Sequence, residues 1–125
     1  MTRKQAAVSR ELRDAIGEIL LREVRDPRVR LVTVVAVEVS PDLRHARARV
    51  SVTASSEEEA KLAFEGVESA TAFIRRLVGQ RVRLKYVPEL AFQRDRGAEH
   101  AEQVARILRE LADEEAARRQ DGDTP

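Results

Sequence analysis

The sequence predicts one α+β domain in which helices cover one face of a three-stranded sheet. Segments whose apolar residues recur at helical spacing are separated by segments in which apolar and polar residues alternate. Each predicted strand therefore has one face for a core and one face for water. The right-handed crossover rule places the last strand parallel to a neighbour. The chain has 125 residues, 42% of them hydrophobic, which is enough for one core of modest size.

The first predicted elements are a helix and a hairpin. Residues 4–24 repeat apolar side chains at helical spacing, and Asp26-Pro27 ends that helix because the residue before proline avoids the α region. Residues 31–39 are rich in β-branched side chains and residues 46–53 alternate strictly. The second strand is predicted to bury Ala46, Ala48, Val50 and Val52 and to turn Arg47, Arg49, Ser51 and Thr53 outward.

The next helical segment is long enough to be one helix or two. It starts near Ser56, which has capping-box spacing to Glu59. Its apolar stripe continues into Ile74, and the pattern alone allows either a single helix or two with a break. Weak helix formers such as Gly66 lie in the middle, so we expect a bend between about 66 and 72.

The stretch from 69 to 95 is predicted to hold a helix, a stop and a strand. Gly79 is predicted to end the helix, because glycine accepts a left-handed conformation at a helix C-terminus. A strand is predicted over 81–92, and Pro88 ends its clean alternation. One face of this strand holds Val82, Leu84 and Tyr86 and the other holds Arg81, Arg83 and Lys85.

A last amphipathic helix follows the loop 93–97 and is predicted to end near Arg119, with a frayed tail over 120–125. We expect residues 1–112 to form the single domain and residues 113–125 to be a charged helix end and flexible tail. All the aromatic side chains fall at core-spaced positions, namely Phe64, Phe73, Tyr86 and Phe92.

The composition excludes several classes of protein. There is no cysteine, which excludes disulfides and thiolate metal sites. No apolar run is long enough to span a membrane and no apolar leader segment is present, so we expect a cytoplasmic protein. His45 and His100 have no ligand partner at metal spacing. Without a Gly-rich phosphate loop or a nucleophile motif, neither a cofactor nor an enzyme is expected.

The formal net charge of +1 conceals a segregation of charge along the chain. Residues 75–96 are strongly basic, and the first 49 residues also lean basic. Residues 57–68 and the segment beyond Gly97 lean acidic. A basic surface on a nearly neutral chain favours a specific anionic partner.

Several stretches, taken together, resemble bacterial ribosome-binding factor A. The resemblance covers roughly residues 5–112. The strongest stretch is Phe73-Ile-Arg-Arg-Leu-Val-Gly79 with Arg83-Leu-Lys-Tyr-Val-Pro-Glu-Leu-Ala-Phe92 and Asp95. The others are Val8-Ser-Arg-Glu-Leu12, Glu23-Val-Arg-Asp-Pro-Arg28, Val32-Thr-Val34 and Val37-Glu-Val-Ser-Pro-Asp-Leu43.

This resemblance implies a type II KH-like fold: a helix, two strands, two helices that meet at a kink, and a third strand. It also implies a non-catalytic factor for ribosome biogenesis and cold adaptation. Such a factor binds the small (30S) ribosomal subunit and the precursor of 16S rRNA, and assists late maturation and 5′-end processing. A functional link to a ribosome-dependent GTPase follows from the same resemblance. We expect a monomer that uses no cofactor, no metal and no membrane.

The chain departs from related patterns at two places. RNA-binding KH domains usually carry a Gly-x-x-Gly loop, but Gly79-Gln-Arg-Val82 has no second glycine. The family's interhelical kink has an Ala-x-Gly pattern, where this chain has Ala70, Thr71 and Ala72. Alanine is a better helix former than glycine by about 1 kcal/mol, so we expect a milder kink or one that packing enforces.

Ten basic residues are the candidate RNA contacts. They are Arg75, Arg76 and Arg81 around Gly79, Arg3, Lys4 and Arg10 at the first helix, and Arg47, Arg49, Arg83 and Lys85 on the outer sheet face. The alternative for each is a solvated surface, and some of the sheet residues are expected to pair with Glu38 across strands. Since the aromatic residues are expected in the core, binding should read rRNA shape and backbone more than base sequence. An RNA-processing enzyme and a protein-interaction module built on the last helix remain the alternative functions.

Overall fold

A computed structural model describes residues 1–122 of the chain. Residue contacts divide the chain into two units, Met1–Asp95 and a second unit that begins at Arg96. The helices are α1 (Arg3–Arg22), α2 (Glu57–Ser69), α3 (Thr71–Arg81) and α4 (Arg96–Gly122), and the strands are β1 (Val32–Val39), β2 (His45–Val52) and β3 (Glu89–Arg94). This order confirms the predicted α+β fold and its KH-like succession of elements.

The last helix forms the second unit. It extends three residues beyond the predicted end near Arg119. The rest of the predicted tail, residues 123–125, lies outside the described residues. The domain boundary that the sequence suggested at 112 falls inside α4, whereas the contacts divide the chain at Asp95 and Arg96.

Helix α1 is fixed at its start by a capping box. The backbone N–H of Gln5 donates to Thr2 Oγ1 at 3.1 Å, and the Thr2 N–H donates to Gln5 Oε1 at 2.9 Å. The Gln5 side-chain amide also donates to the carbonyl oxygen of Val39 at 3.2 Å. The start of α1 therefore lies at the end of β1, where the hairpin turn begins.

The chain between α1 and β1 forms an element that sequence reasoning missed. Helix α1 ends at Arg22, earlier than predicted, and a 3-10 helix spans Pro27–Leu31. Asp26 caps this short helix by accepting from the Arg28 N–H at 3.0 Å, and Pro27 occupies its first position. The element is anchored by Val29, whose side chain is fully buried.

The sheet has the order β1-β2-β3. Strands β1 and β2 pair antiparallel and β2 and β3 pair parallel, which confirms the predicted hairpin and the parallel last strand. The four residues predicted to face inward on β2 are all buried, namely Ala46, Ala48, Val50 and Val52. Ser51, which was predicted on the outward, polar face, is not exposed to water, because its side chain is also fully buried.

The two middle helices meet at a bend, as expected. Ser56 caps α2 by accepting from the Glu59 N–H at 3.1 Å, while the Glu59 carboxylate accepts from Ser55 rather than from Ser56. Ala70 separates α2 from α3, with φ −90° and ψ 1°. Its N–H is shared between the carbonyl oxygens of Gly66 (3.2 Å) and Val67 (3.1 Å). The break therefore forms without a glycine at the interhelical position.

The path from α3 to β3 differs from the prediction. Gly79 does not end the helix, since α3 continues to Arg81. Residues 82–88 form no strand, and β3 begins at Glu89, immediately after Pro88. Arg83 and Lys85 consequently lie outside the sheet, and the prediction that they form part of its outer face was wrong. We call residues 82–88 the connecting segment.

Candidate nucleic-acid interface

An open groove of about 1030 Å³ lies between α3 and the connecting segment. Helix α3 is anchored in the core by its buried residues Ile74 and Val78. Two of the kink residues, Thr71 and Ala72, line the groove, whereas Ala70 forms the bend behind it. We call this feature the α3 groove; further along, its walls hold Arg75, Arg76, Gly79, Lys85, Tyr86 and Val87.

Arg75 holds one wall of the groove in place. Its Nη2 donates to the carbonyl oxygen of Val87 at 2.8 Å, and its Nε donates to that of Pro88 at 3.0 Å. Nη2 also lies 3.8 Å from Glu89 Oε1. Because its fork of donors is directed at two backbone carbonyls, Arg75 stabilises the connecting segment.

The connecting segment also carries an exposed aromatic ring on the groove. Tyr86 is 55% exposed, which contradicts its predicted place in the core. The guanidinium carbon of Arg44 lies 5.0 Å from the centre of this ring, and Lys85 Nζ lies 5.6 Å from it. Both separations are within the range of cation–π attraction.

A second aromatic ring behaves similarly. Phe73 is 37% exposed, so its predicted place in the core was also wrong. The guanidinium carbon of Arg76 lies 5.5 Å from the centre of the Phe73 ring. Three cation–aromatic pairs, two of them at Tyr86, therefore lie at or beside the α3 groove.

Arg44 is a site residue that sequence reasoning missed. It follows a turn in which Ser40 donates to Asp42 at 2.6 Å and Asp42 accepts from the Arg44 N–H at 3.0 Å. These two hydrogen bonds, the Ser40 hydroxyl first, hold the pKa of Asp42 below its usual value. The Arg44 carbonyl then accepts from the Glu89 N–H at 2.8 Å, which joins the turn to the start of β3. The turn and the connecting segment thus meet at one end of the sheet.

Three further candidate residues are engaged in ion pairs away from the groove. Arg81 Nη2 lies 2.8 Å from Glu23 Oε1. Arg47 Nη2 lies 3.3 Å from Glu38 Oε2, which confirms the expected pairing across strands. Arg49 lies between two carboxylates: its Nε is 2.9 Å from Glu38 Oε1, an ion pair without hydrogen-bond geometry, and its Nη1 is 2.8 Å from Asp95 Oδ2.

The other six candidates have exposed side chains. They form no ion pair with any side chain of residues 1–120, the part of the chain whose side chains the structure describes. Arg76 and Lys85 line the α3 groove. Arg3, Lys4 and Arg10 lie on α1, with Arg3 and Lys4 at its start. The six are Arg76, Lys85, Arg83, Arg3, Lys4 and Arg10.

The described residues offer no arrangement typical of a metal centre. Within residues 1–122, no group of three or more His, Asp or Glu side chains could hold a metal ion. In the same part of the chain, no helix has the length and hydrophobicity that crossing a membrane requires.

The order of elements and the bent helix pair define a small KH-like α+β protein. The family model described as "Ribosome-binding factor A" matches residues 4–108. The chain therefore belongs to the ribosome-binding factor A family.

Relatives and solved structures agree with this assignment. A ribosome-binding factor A from Thermomicrobium roseum is 49% identical over 111 residues, covering 89% of this chain and 85% of the relative. One from Halothermothrix orenii is 44% identical, covering 89% and 90%. The solution structure of a Thermotoga maritima protein, a putative ribosome binding factor A, superimposes with a TM-score of 0.65 at 33% identity, covering 76% of this chain and 90% of its own.

One further similarity concerns a complex. The chain resembles a homology model of the Thermus thermophilus factor that was fitted into a cryo-EM map of a 30S–RbfA complex. The TM-score is 0.58 at 27% identity, and the match covers 70% of this chain and 91% of the other.

Proposed function

We propose that this protein binds the small (30S) ribosomal subunit and the precursor of 16S rRNA, and assists late maturation and 5′-end processing without catalysing a reaction. Membership of the ribosome-binding factor A family supports this proposal. So does the similarity to a factor that was fitted into a 30S complex. In this proposal the protein acts in the cytoplasm as a monomer, and a ribosome-dependent GTPase assists its release.

The α3 groove is the observation that carries the proposal. Arg76 and Lys85 line the open groove, and neither forms an ion pair with a carboxylate among the described side chains, while Arg44 adds positive charge beside the groove at the Tyr86 ring. Since phosphate contact is electrostatic, unpaired cations on an accessible groove are what an RNA backbone requires. The bend at Ala70, Thr71 and Ala72 shapes this groove. We propose that the exposed part of the bend is covered in the complex with the small subunit.

The ten candidate residues divide into two groups in this proposal. Those without an intramolecular ion pair contact phosphate: Arg3, Lys4, Arg10, Arg76, Arg83 and Lys85. The others have structural partners and support the fold: Arg47, Arg49, Arg75 and Arg81.

Co-sedimentation with purified small subunits over a salt series tests the proposal. The test variant is Arg76→Glu/Lys85→Glu, which changes the groove without breaking an intramolecular ion pair. The control is Arg25→Glu/Arg30→Glu, which makes the same change in net charge at exposed positions that do not line the α3 groove. We expect wild type and control to bind, salt to weaken both, and the groove variant to be lost from the subunit fraction.

Two other outcomes would contradict the proposal, the first its contact surface and the second its function. If the groove variant binds as wild type does, the α3 groove is not the contact surface, and Arg3 and Lys4 on α1 become the next residues to change. If wild type binds neither mature nor precursor subunits, the proposed function is wrong.

A protein-interaction module is the second candidate function, and α4 favours it. Val104, Leu108 and Leu111 share one face of this helix, and each is exposed. If this candidate is right, salt does not weaken the binding of wild type to the subunit, and the Leu108→Gln/Leu111→Gln variant does not bind.

A further inference from the structure

We propose that the α3 groove binds an unpaired RNA nucleotide, whose base stacks on Tyr86 and whose phosphates contact Lys85 and Arg76. This inference rests on the proposed function for its ligand, because it takes RNA to be the molecule in the groove. It adds a recognition mode that reads single-stranded RNA.

The exposure of Tyr86 is the first observation. The chain has one tyrosine, three phenylalanines and no tryptophan, so it has few large side chains from which to build a core. Even so, Tyr86 leaves more than half of its surface in water. An aromatic ring exposed at the edge of a groove is available for stacking on a base.

The rigidity of the ring's support is the second observation. Tyr86 precedes Val87, whose carbonyl oxygen accepts from Arg75 and whose side chain packs against Gly79. The next residue, Pro88, is buried and its carbonyl also accepts from Arg75. The backbone beside the ring is thus held on α3 before any ligand arrives, which lowers the entropy cost of binding.

The cations around the ring are the third observation. Arg44 and Lys85 lie 5.0 and 5.6 Å from its centre, and Arg76 lies on the facing helix. The planar guanidinium of Arg44 can itself stack on a base, and the Lys85 ammonium is a point charge on a flexible stem that can move to a phosphate. Aromatic and cationic groups in one groove match the alternation of base and phosphate in single-stranded RNA.

The carboxylates of the groove restrict where the phosphates lie. Glu68 and Glu89 also line it, and Glu89 lies 3.8 Å from Arg75. Repulsion from these carboxylates directs the RNA backbone toward the side of Lys85 and Arg76. A fully paired helix keeps its bases stacked inside, so it offers Tyr86 no free base face.

The experiment uses the full chain and two RNA probes of equal length. One is a single strand of about ten nucleotides that carries 2-aminopurine, and the other is a hairpin whose stem leaves few bases unpaired. The variants are Tyr86→Leu, which removes the aromatic face but keeps an apolar side chain, and Tyr86→Phe, which keeps the ring. Thermal unfolding checks that both variants fold as wild type does.

Wild type and Tyr86→Phe should quench the 2-aminopurine fluorescence and bind the single strand equally well. Tyr86→Leu should lose the quenching and bind the single strand about tenfold more weakly, while its affinity for the hairpin stays unchanged. An equal loss on both probes, or no loss on either, overturns the stacking site.

The co-sedimentation assay separates this inference from the proposed function. If wild type binds small subunits but the single strand is bound independently of Tyr86, the stacking site alone is wrong. If wild type binds no small subunit while Tyr86 still quenches the single-stranded probe, the proposed function is wrong and the stacking site stands.

Discussion

Val87 Cγ2 lies 2.9 Å from the position that a Cβ on Gly79 would occupy. Real Cβ atoms essentially never approach a neighbour so closely, so the missing side chain allows the connecting segment to pack on α3. Gly79 lies inside the helix, and its φ is not in the left-handed region. The glycine is therefore explained by close approach and not by a turn.

This relationship predicts a coupled pair of substitutions. Gly79→Ala gains about 1 kcal/mol of helix propensity but forces a clash that costs about 1–3 kcal/mol, so we expect a net loss of stability. In the Gly79→Ala/Val87→Ala double variant the clash is absent. The double variant should therefore lose less stability than the sum of the losses of the two single variants. Urea denaturation of the four proteins measures the coupling, and strict additivity would show that the two residues do not compete for space.

Gly17 provides the opposite prediction. It lies in the middle of α1, and nothing lies within 4 Å of the position that its Cβ would occupy. Gly17→Ala should therefore raise the free energy of unfolding by about 0.5–1 kcal/mol, because alanine restricts the unfolded chain and favours helix. A loss of stability in the same urea titration would contradict the open space seen beside Gly17.

Adjacent arginines on α3 should differ in what they do for the fold. Arg75→Ala removes two hydrogen bonds to the backbone of the connecting segment, so we expect it to cost about 1–2 kcal/mol. Arg76→Ala removes only a contact with Phe73 and should change stability by about 0.5 kcal/mol or less.

Amide hydrogen exchange distinguishes the two arginines at residue level. Exchange within 82–88 should accelerate in Arg75→Ala and stay unchanged in Arg76→Ala. Equal exchange in both variants would mean that Arg75 does not hold the connecting segment.

The elements that the sequence predicted correctly are those whose periodicity reports burial. Apolar spacing located α1 and strict alternation located β2, because each pattern reflects one face packed on the core, while a stretch rich in β-branched residues located β1. The bend between α2 and α3 was also expected, since weak helix formers lie there.

The connecting segment was misassigned because alternation does not reveal whether a partner strand exists. Val82, Leu84 and Tyr86 alternate as a strand would. Strand β2, however, begins at His45, and His45 already pairs with Glu89. Because the two strands are parallel, the residues before Glu89 lie beyond the first residue of β2 and have no strand to pair with.

The candidate site was predicted only in part, for a similar reason. Arg75 and Arg76 are indistinguishable in the sequence, yet one helical step of about 100° directs the first at backbone carbonyls and leaves the second exposed. Arg44 reaches the Tyr86 ring beside the groove only because β2 and β3 pair in parallel, and that contact spans more than 40 residues of chain.

Asp26 should make part of the free energy of unfolding depend on pH. Hydrogen bonds from the Arg28 side chain, and then from its backbone N–H, hold the pKa of Asp26 below its ordinary value of 3.8. The ionised carboxylate therefore contributes stability above pH 3.8, and this contribution is lost as the pH falls through the lowered pKa.

Asp26→Asn keeps an oxygen that can cap the 3-10 helix but removes the charge. Urea denaturation should show wild type more stable than Asp26→Asn at neutral pH, with the difference shrinking as the pH falls below 3.8. Asp42→Asn should behave in the same way, because the pKa of Asp42 is also lowered. A difference between wild type and Asp26→Asn that stays constant from neutral to acid pH would show that the Asp26–Arg28 contact does not favour the ionised carboxylate.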